Sequence, residues 1–340
     1  MNYPPYTVTS TIRRQVAAIC EQLAELAAGR TAGAEFFSAR QRQQNRLRTI
    51  HATLAIEGNR LSLEQVAAII EGKGVMGPAR DVRDVRDIRE VREVREVRGA
   101  VAVCEKLEAW QAHRLKDLLS AHALLMRDLV DHPGHLRTGG VGIYRGSRLV
   151  HLAPPAHLVH AHLQRLLGWL AGTDEHPLVA ASVFHAEFEF IHPFADGNGR
   201  MGRLWQMLIL SRWNPLLAHV PVDAVVHSRK ADYYDSLAQA DAQGEATAFV
   251  EFMLAALGEA LAGGRTDQAG DQAGDQASDQ AGARAGEQAS ERVRRLLEVL
   301  GHGEKSTELM ADPGLRHAPA FRTLSCARPE SRSCRENRTG

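Results

Sequence analysis

The chain has 340 residues, 44% of them hydrophobic, with 41 Lys and Arg balanced by 41 Asp and Glu. That length holds more than one structural unit, and the neutral balance gives no global field to draw in nucleic acid or an anionic membrane, so charge-driven binding must be local. The start, MNYPPYTVTSTIRRQ, has no apolar signal core and no window approaches the roughly 18 apolar residues of a membrane span, so a cytoplasmic protein with no membrane partner is expected.

From Ser10 to about Leu26 apolar residues recur at helical spacing (Ile12, Val16, Ile19, Cys20, Leu23, Leu26), predicting an amphipathic helix. A second helix is predicted from about Ser38 to a stop at Gly58 and Asn59, and a third from LSLEQV with Ser62 as its cap. Between Arg80 and Arg98 the triplet Asp/Glu-Val/Ile-Arg repeats. On an α-helix a three-residue period winds the apolar stripe round the surface, so this segment reads as a solvated, salt-bridged helix that cannot pack along its whole length. No functional role is assigned to it.

A further helix is expected from Leu107 to Leu129, broken by Pro133 and Gly134. The stretch RTGGVGIYRGSRLVHLAPP then reads as a short β-hairpin about an Arg-Gly-Ser turn. Helices follow over His157–Leu170, Leu178–Phe190, Gly202–Arg212, Arg229–Asp241 and Thr247–Leu261. The Asp-Gln-Ala-Gly/Ser repeat of Gly263–Gln288 has almost nothing to bury and reads as a flexible linker. Beyond it lies what looks like the start of a helix-turn-helix unit, and residues 325–340 lose all apolar pattern, as a frameshift or truncation would produce. The four cysteines, Cys20, Cys104, Cys326 and Cys334, form no CxxC pair and are expected to be reduced thiols. His157, His160 and His162 lack the i, i+4 spacing of a two-His metal face and read as surface or packing residues, and His185 reads as packing.

The chemistry concentrates in HPFADGNGRMGR, His192 to Arg203. Gly197, Asn198 and Gly199 free the backbone so that consecutive N–H groups can converge on an anion at the start of the following helix. Arg200 and Arg203, one turn apart, can turn both guanidinium forks to one polyphosphate. Asp196 is a hard oxygen ligand beside the anion hole, suited to Mg²⁺, and His192 can accept a proton from an attacking hydroxyl. Singly these are a turn, a solvated face and a helix terminus. Contiguous and ahead of an apolar helix, they point to transfer of a nucleotide or phosphate group.

The same residues match every fixed position of the signature HPFx(D/E)GNGRxxR, so the chain resembles the Fic (filamentation-induced-by-cAMP) domain proteins from about Ser10 to Leu261. The resemblance implies an all-α fold with a β-hairpin flap, and transfer of AMP from ATP to a Ser, Thr or Tyr hydroxyl of a target protein or of the chain itself. It gives His192 the role of base and Asp196 that of Mg²⁺ ligand across the α- and β-phosphates. Gly197, Asn198 and Gly199 would form the anion hole with the Asn198 side chain on the α-phosphate, Arg200 would hold the β-phosphate and Arg203 the γ-phosphate. Phe194 would anchor the loop. TLAIEG, Thr53 to Gly58, resembles the family's inhibitory pattern (S/T)xxxE(G/N), in which Glu57 would pair with Arg203 and deny the γ-phosphate its partner. RKADYYDSLAQAD resembles the adenine-pocket segment, which makes Tyr234 and Asp241 ligand contacts, with Asp241 standing where many members have Asn.

The implied organisation is an N-terminal helical region with the inhibitory motif at 1–99, the Fic catalytic domain at 100–262, the linker at 263–288 and a partial winged-helix-like segment with a disordered tail at 289–340. Three alternatives stay open: another donor or AMP removal on the same fold, a nucleotide-sensing regulator that binds DNA through its C-terminal helices, and a homodimer that buries or exposes the inhibitory helix. The neutral charge balance argues against strong DNA affinity.

Overall fold

The run PLVAASVFHAEFEFI is apolar all round, the pattern of a helix with no solvent face. In a computed structural model describing residues 3–28, 37–72, 85–145 and 148–263, it forms α7 (Pro177–Ile191), buried on nearly every side. The other helices are α1 (Ser10–Ala28), α2 (Ala39–Ile56), α3 (Leu63–Ile70), α4 (Val85–Glu105), α5 (Leu115–Leu125), α6 (Ala156–Gly172), α8 (Asn198–Trp213), α9 (Val222–Ser228), α10 (Lys230–Gln243) and α11 over residues 247–263. All described residues belong to one unit, Met1–Gln268. Residues 264–340, with nearly all of the linker and the winged-helix-like segment, lie outside the described residues.

Helix α8 lies antiparallel against α7, and this central pair is wrapped by α1, α6 and α10 on α7 and by α2 on α8. α2 packs on α9, and α4 joins α3 to α5. One apolar cluster runs through all of these elements, from Ile12 in α1 through Leu54, Val97, Leu118, Phe184 and Trp205 to Leu261 in α11. The division drawn at residue 99 therefore falls inside α4, whose buried Val97, Ala100 and Val103 face that cluster. Gly99 is required there, because a Cβ would collide with the backbone carbonyl of Leu125 in α5.

The triplet repeat behaves as its period demands. Val91 is 48% exposed while Val97 is fully buried, so the stripe leaves the core within two turns. The start of the repeat, up to residue 84, lies outside the described residues.

The helix expected over Leu107–Leu129 is broken. A single 3₁₀ turn (Leu107–Ala109) leads into an irregular link, and α5 begins only at Leu115. The link is pulled out of helical geometry by α8: Arg212 donates to the carbonyls of Glu108 and Trp110, Trp205 Nε1 donates to Ala112 O at 2.8 Å, and the Trp110 and Trp205 rings stack at 6.2 Å. The expected helix over Arg229–Asp241 is preceded by a separate short one, α9.

The hairpin forms as predicted, with β1 (Gly142–Arg145) antiparallel to β2 (Arg148–Leu152) and an irregular register between Ile143 and Tyr144. Its Gly146–Ser147 turn is outside the described residues. Among the described residues no helix is long and apolar enough to cross a membrane, and no group of three or more His, Cys, Asp and Glu could hold a metal by itself.

Candidate active site

The α7–α8 connection carries the chemistry. α7 ends at His192, which adopts φ 47° and ψ 62°, a left-handed conformation that costs a residue with a Cβ roughly 1–2 kcal/mol. Arg137 holds it there. Its guanidinium, on a residue 6% exposed, donates from Nε to His192 O at 2.7 Å, from Nη1 to Gly139 O at 2.8 Å and from Nη2 to Pro154 O and to Ile191 O at 3.3 Å, while its own N–H donates to Pro193 O at 3.0 Å. One side chain thus ties the catalytic-loop backbone to both ends of the hairpin. Arg137→Met leaves these carbonyls without their charged donor and is expected to cost about 3 kcal/mol of stability, read as a lowered urea midpoint at unchanged slope.

The loop closes on itself. Asn198 Oδ1 accepts from Phe194 N–H and Nδ2 donates to Phe194 O, both at 2.9 Å, and Phe194 is fully buried in a parallel stack 3.6 Å from the His122 ring. His122 accepts from Gly134 N–H on Nδ1 at 2.8 Å, so its Nε2 donates to Asp196 O at 3.0 Å. Burial lowers its pKa to about 4, which keeps it in that neutral form. Phe194 is the anchor expected. The side chain of Asn198 is largely spent on closing the loop, and only its second Nδ2 hydrogen is left for the α-phosphate contact that the resemblance implies.

Gly197, at φ 85°, caps α8, and a Cβ on it would meet Met126 Sδ at 2.7 Å. The first intrahelical bond of α8 runs from Met201 N–H to Gly197 O, so the N–H groups of Asn198, Gly199 and Arg200 precede it at the helix's positive end. A Cβ on Gly199 would collide with the Glu57 carboxylate, so the glycine opens the space that carboxylate fills.

Arg200 and Arg203 are buried, at 4% and 3% exposure. Three of their nitrogens, Arg200 Nε and Nη1 and Arg203 Nη1, have no hydrogen-bond partner among the described residues. Buried, unsatisfied guanidinium donors are costly, and an anion satisfies them. What Arg203 does hold comes from α2: Nη2 donates to Glu57 Oε1 at 2.7 Å and to Thr53 O at 3.1 Å, and Nε donates to Thr53 Oγ1 at 2.9 Å. Asp223 Oδ2 of α9 lies 3.7 Å away. Burial works against the Arg203 charge, but the facing Glu57, Tyr233 and Asp223 outweigh it and its pKa is raised. Thr53 and Glu57 of TLAIEG thus both reach Arg203, and Gly58 follows them with nothing within 4 Å of where its Cβ would be. Asp196 accepts from Gly197 N–H on Oδ1 at 2.6 Å, and on Oδ2 it faces Arg92 Nη2 of α4 at 2.8 Å.

His192 turns Nδ1 to Glu189 O at 3.4 Å, leaving Nε2 for an incoming hydroxyl. Burial lowers its pKa to about 4, so it is neutral at pH 7. Glu189, also buried, lies 3.8 Å from both His192 Nδ1 and His185 Nε2, and burial followed by the nearby Glu57 pushes its pKa up to about 8. A protonated Glu189 adds no negative charge beside His192. His185 is fully buried, bonded through Nδ1 to Gln206 Oε1 at 2.6 Å and through Nε2 to the Tyr233 hydroxyl at 3.2 Å, which is a packing role.

Tyr234 is 36% exposed, edge-on to Tyr233 at 5.2 Å. Asp241 is engaged by the flap: its Oδ1 faces His151 Nδ1 at 2.7 Å, and His151 Nε2 bonds Phe190 O at 2.9 Å. Sequence reasoning missed Arg137, His122, Glu189, Arg92 and Glu96. Arg92 and Glu96 lie in the triplet repeat, which is assigned no role, Arg137 opens the hairpin stretch, and only Glu189 is near the HPFADGNGRMGR motif in sequence.

The Fic/DOC family model matches residues 112–210. A Fic family protein from Desulfovibrio desulfuricans G20, known from its crystal structure, is 52% identical, with 78% of each chain covered and a TM-score of 0.70. Fic-1 from C. elegans shares the fold at 22% identity and a TM-score of 0.60, over 76% of this chain and 73% of that one. Among curated proteins, Protein adenylyltransferase Fic from Nematostella vectensis is 26% identical over 210 residues, 60% of this chain and 45% of its own. That from Culex quinquefasciatus is 28% identical over 216 residues, 60% and 38% respectively. The chain spans less than half the length of these curated relatives.

Proposed function

Because this chain belongs to the Fic family, we propose that it is a self-restrained protein adenylyltransferase, moving AMP from ATP to a hydroxyl side chain of a protein. The observation that carries this reading is the set of buried guanidinium nitrogens on Arg200 and Arg203 that lack a hydrogen-bond partner among the described residues, on the helix that starts six residues after His192. They fit a polyphosphate, and the N–H groups that open α8 fit a phosphate oxygen. Asp196 fits a divalent cation, since its Oδ2 already faces a positive group beside that anion site. Mg²⁺ held there would offset phosphate charge as the bond breaks.

Nε2 of His192 takes the hydroxyl proton as the oxygen attacks the α-phosphorus, and the bond to the β-phosphate oxygen breaks, so that pyrophosphate leaves and AMP stays on the target. Arg200 and Arg203 hold the departing pyrophosphate. Glu57 restrains the reaction by occupying Arg203, the partner of the γ-phosphate. Transfer of label to protein from α-labelled but not γ-labelled ATP, in the presence of Mg²⁺, tests this reading; label from neither sinks it.

One observation favours a second reading, removal of AMP from a modified protein. The Glu57 carboxylate sits in the anion site, 2.7 Å from Arg203 Nη2, where it could activate water. Release of AMP by the wild type and not by Glu57→Gly would favour it.

A further inference from the structure

The last turns of the triplet repeat enter the site. Arg92 Nη2 of α4 lies 2.8 Å from Asp196 Oδ2, and its Nε donates to Glu96 Oε1 at 3.3 Å. Glu96 Oε1 lies 3.5 Å from Arg200 Nη1, an ion pair in which Nη1 lacks hydrogen-bond geometry. On its other side α4 is fixed to the turn that follows Glu57. Asn59 Nδ2 donates to Glu96 Oε2 at 2.9 Å and to Glu93 O at 3.2 Å, and Arg60 N–H donates to Glu93 Oε1 at 3.3 Å.

The charges on α4 follow the order that a metal–phosphate ligand would present. The carboxylate suited to a cation is faced by Arg92 on Oδ2 and by Arg200 Nη2 on Oδ1 at 3.3 Å, and a carboxylate from α4 faces the guanidinium suited to a phosphate. The Arg92–Asp196 contact differs in kind from the Glu57–Arg203 pair, in which the arginine side chain is 1% exposed, whereas the Glu96–Arg200 pair is buried like it. The Arg92 and Asp196 side chains are 51% and 40% exposed, so their pair is screened and exchangeable.

We propose that Arg92 and Glu96 set the metal and nucleotide requirement of the site, Arg92 contending with a divalent cation for Asp196 and Glu96 contending with a phosphate for Arg200. This rests on reading the site as one for a nucleotide. It makes the repeat, whose pattern alone suggested no role, a second restraint that acts at different groups from Glu57. Arg92 is a positioning residue, acting through Asp196.

ADP separates the two restraints, because it lacks the γ-phosphate for which Glu57 contends. Its binding to the full chain would be measured by calorimetry across a Mg²⁺ series, for wild type, Arg92→Gln, Arg92→Lys and Glu96→Gln. The thermal midpoint of each form would confirm that it folds. An exposed pair of this kind corresponds to about a two- to fivefold effect. Arg92→Gln is expected to lower the half-saturating Mg²⁺ by that factor, Arg92→Lys to stay near wild type, and Glu96→Gln, whose pair with Arg200 is buried, to tighten ADP at low Mg²⁺ by more than that factor. An unchanged or higher Mg²⁺ requirement in Arg92→Gln overturns the proposal, as does weaker ADP binding without Mg²⁺, which would make Arg92 a phosphate ligand. ADP binding with these shifts but no α-label transfer would sink the adenylyl-transfer reading alone, whereas no ADP binding in any form would sink both.

Discussion

Glu57→Gly is expected to raise the initial rate of AMP transfer from α-labelled ATP by about 10- to 100-fold. The figure follows from what the carboxylate does in the folded chain. Its Oε1 accepts a 2.7 Å hydrogen bond from a buried guanidinium, a contact of the charged kind worth about 1.5–3 kcal/mol. The γ-phosphate must displace it to reach Arg203. Glycine fits the backbone at the end of α2, so only the carboxylate is lost. The same change leaves Arg203 with Thr53 and a distant Asp223. The variant without nucleotide is therefore expected to melt earlier than wild type, and ATP is expected to raise its melting temperature by more, since the ligand replaces the lost partner. An unchanged rate with intact folding would remove Glu57 as a restraint.

His192→Ala, in the Glu57→Gly background, is expected to reduce transfer by about 10²- to 10⁴-fold, the range for loss of a positioned base. ADP binding in that double variant is expected to persist, since Arg200 and Arg203 are untouched. The pH profile carries a separate signature. Burial lowers the pKa of His192 to about 4, so the base is available throughout pH 5–8 and no limb is expected near 6.5, where an ordinary histidine titrates. The sign for stability follows from the same direction. Below about 6.5 the unfolded chain takes up a proton that folded His192 refuses, so its contribution is complete above 6.5 and is lost as pH falls toward 4. His122, lowered to about 4, and His185, lowered to about 3, act in the same sense. Denaturant midpoints are expected to fall between pH 7 and pH 5 while specific activity of the folded fraction holds. A midpoint of the rate near pH 6.5 would instead place His192 in a solvated setting.

The parts of the site legible in the sequence were those written within one short stretch of chain. HPFADGNGRMGR places the proposed base, anion hole and two arginines on a helix end and the first turns of the next helix, and TLAIEG, legible only through its resemblance to an inhibitory pattern, places a threonine and a glutamate on one face of α2. Fixed spacing on a helix carries geometry, so these groups could be read before any fold was known. Arg137 could not, because it reaches His192 across 55 residues and nothing in RTGGVG marks an arginine that faces carbonyls instead of an anion. Arg92 is 104 residues from Asp196, and its repeat offers identical neighbours, so the period that revealed a wandering stripe concealed which arginine meets the loop. The break before α5 was hidden for a related reason: it is made by Arg212 and Trp205 of a helix about 100 residues away, against a local pattern that remains helical.

The position of Glu57 at the end of α2 also sets how fast the proposed restraint would move. Ile50, Ala52, Leu54 and Ile56 of that helix are buried, and lifting three large apolar side chains from the core would cost several kcal/mol at about 1.5–3 kcal/mol each. The Glu57 side chain itself is 29% exposed and is followed by Gly58, at φ 95° with open space around it. Release is therefore a rotation of one side chain on a helix that stays docked, an event of nanoseconds to microseconds, against turnovers of about 1–10³ per second. Open and closed forms re-equilibrate many times within each catalytic cycle. Progress curves of the wild type should accordingly run straight from the first seconds, slow but without a lag, and a slow onset after ATP addition would mean that the whole of α2 has to leave.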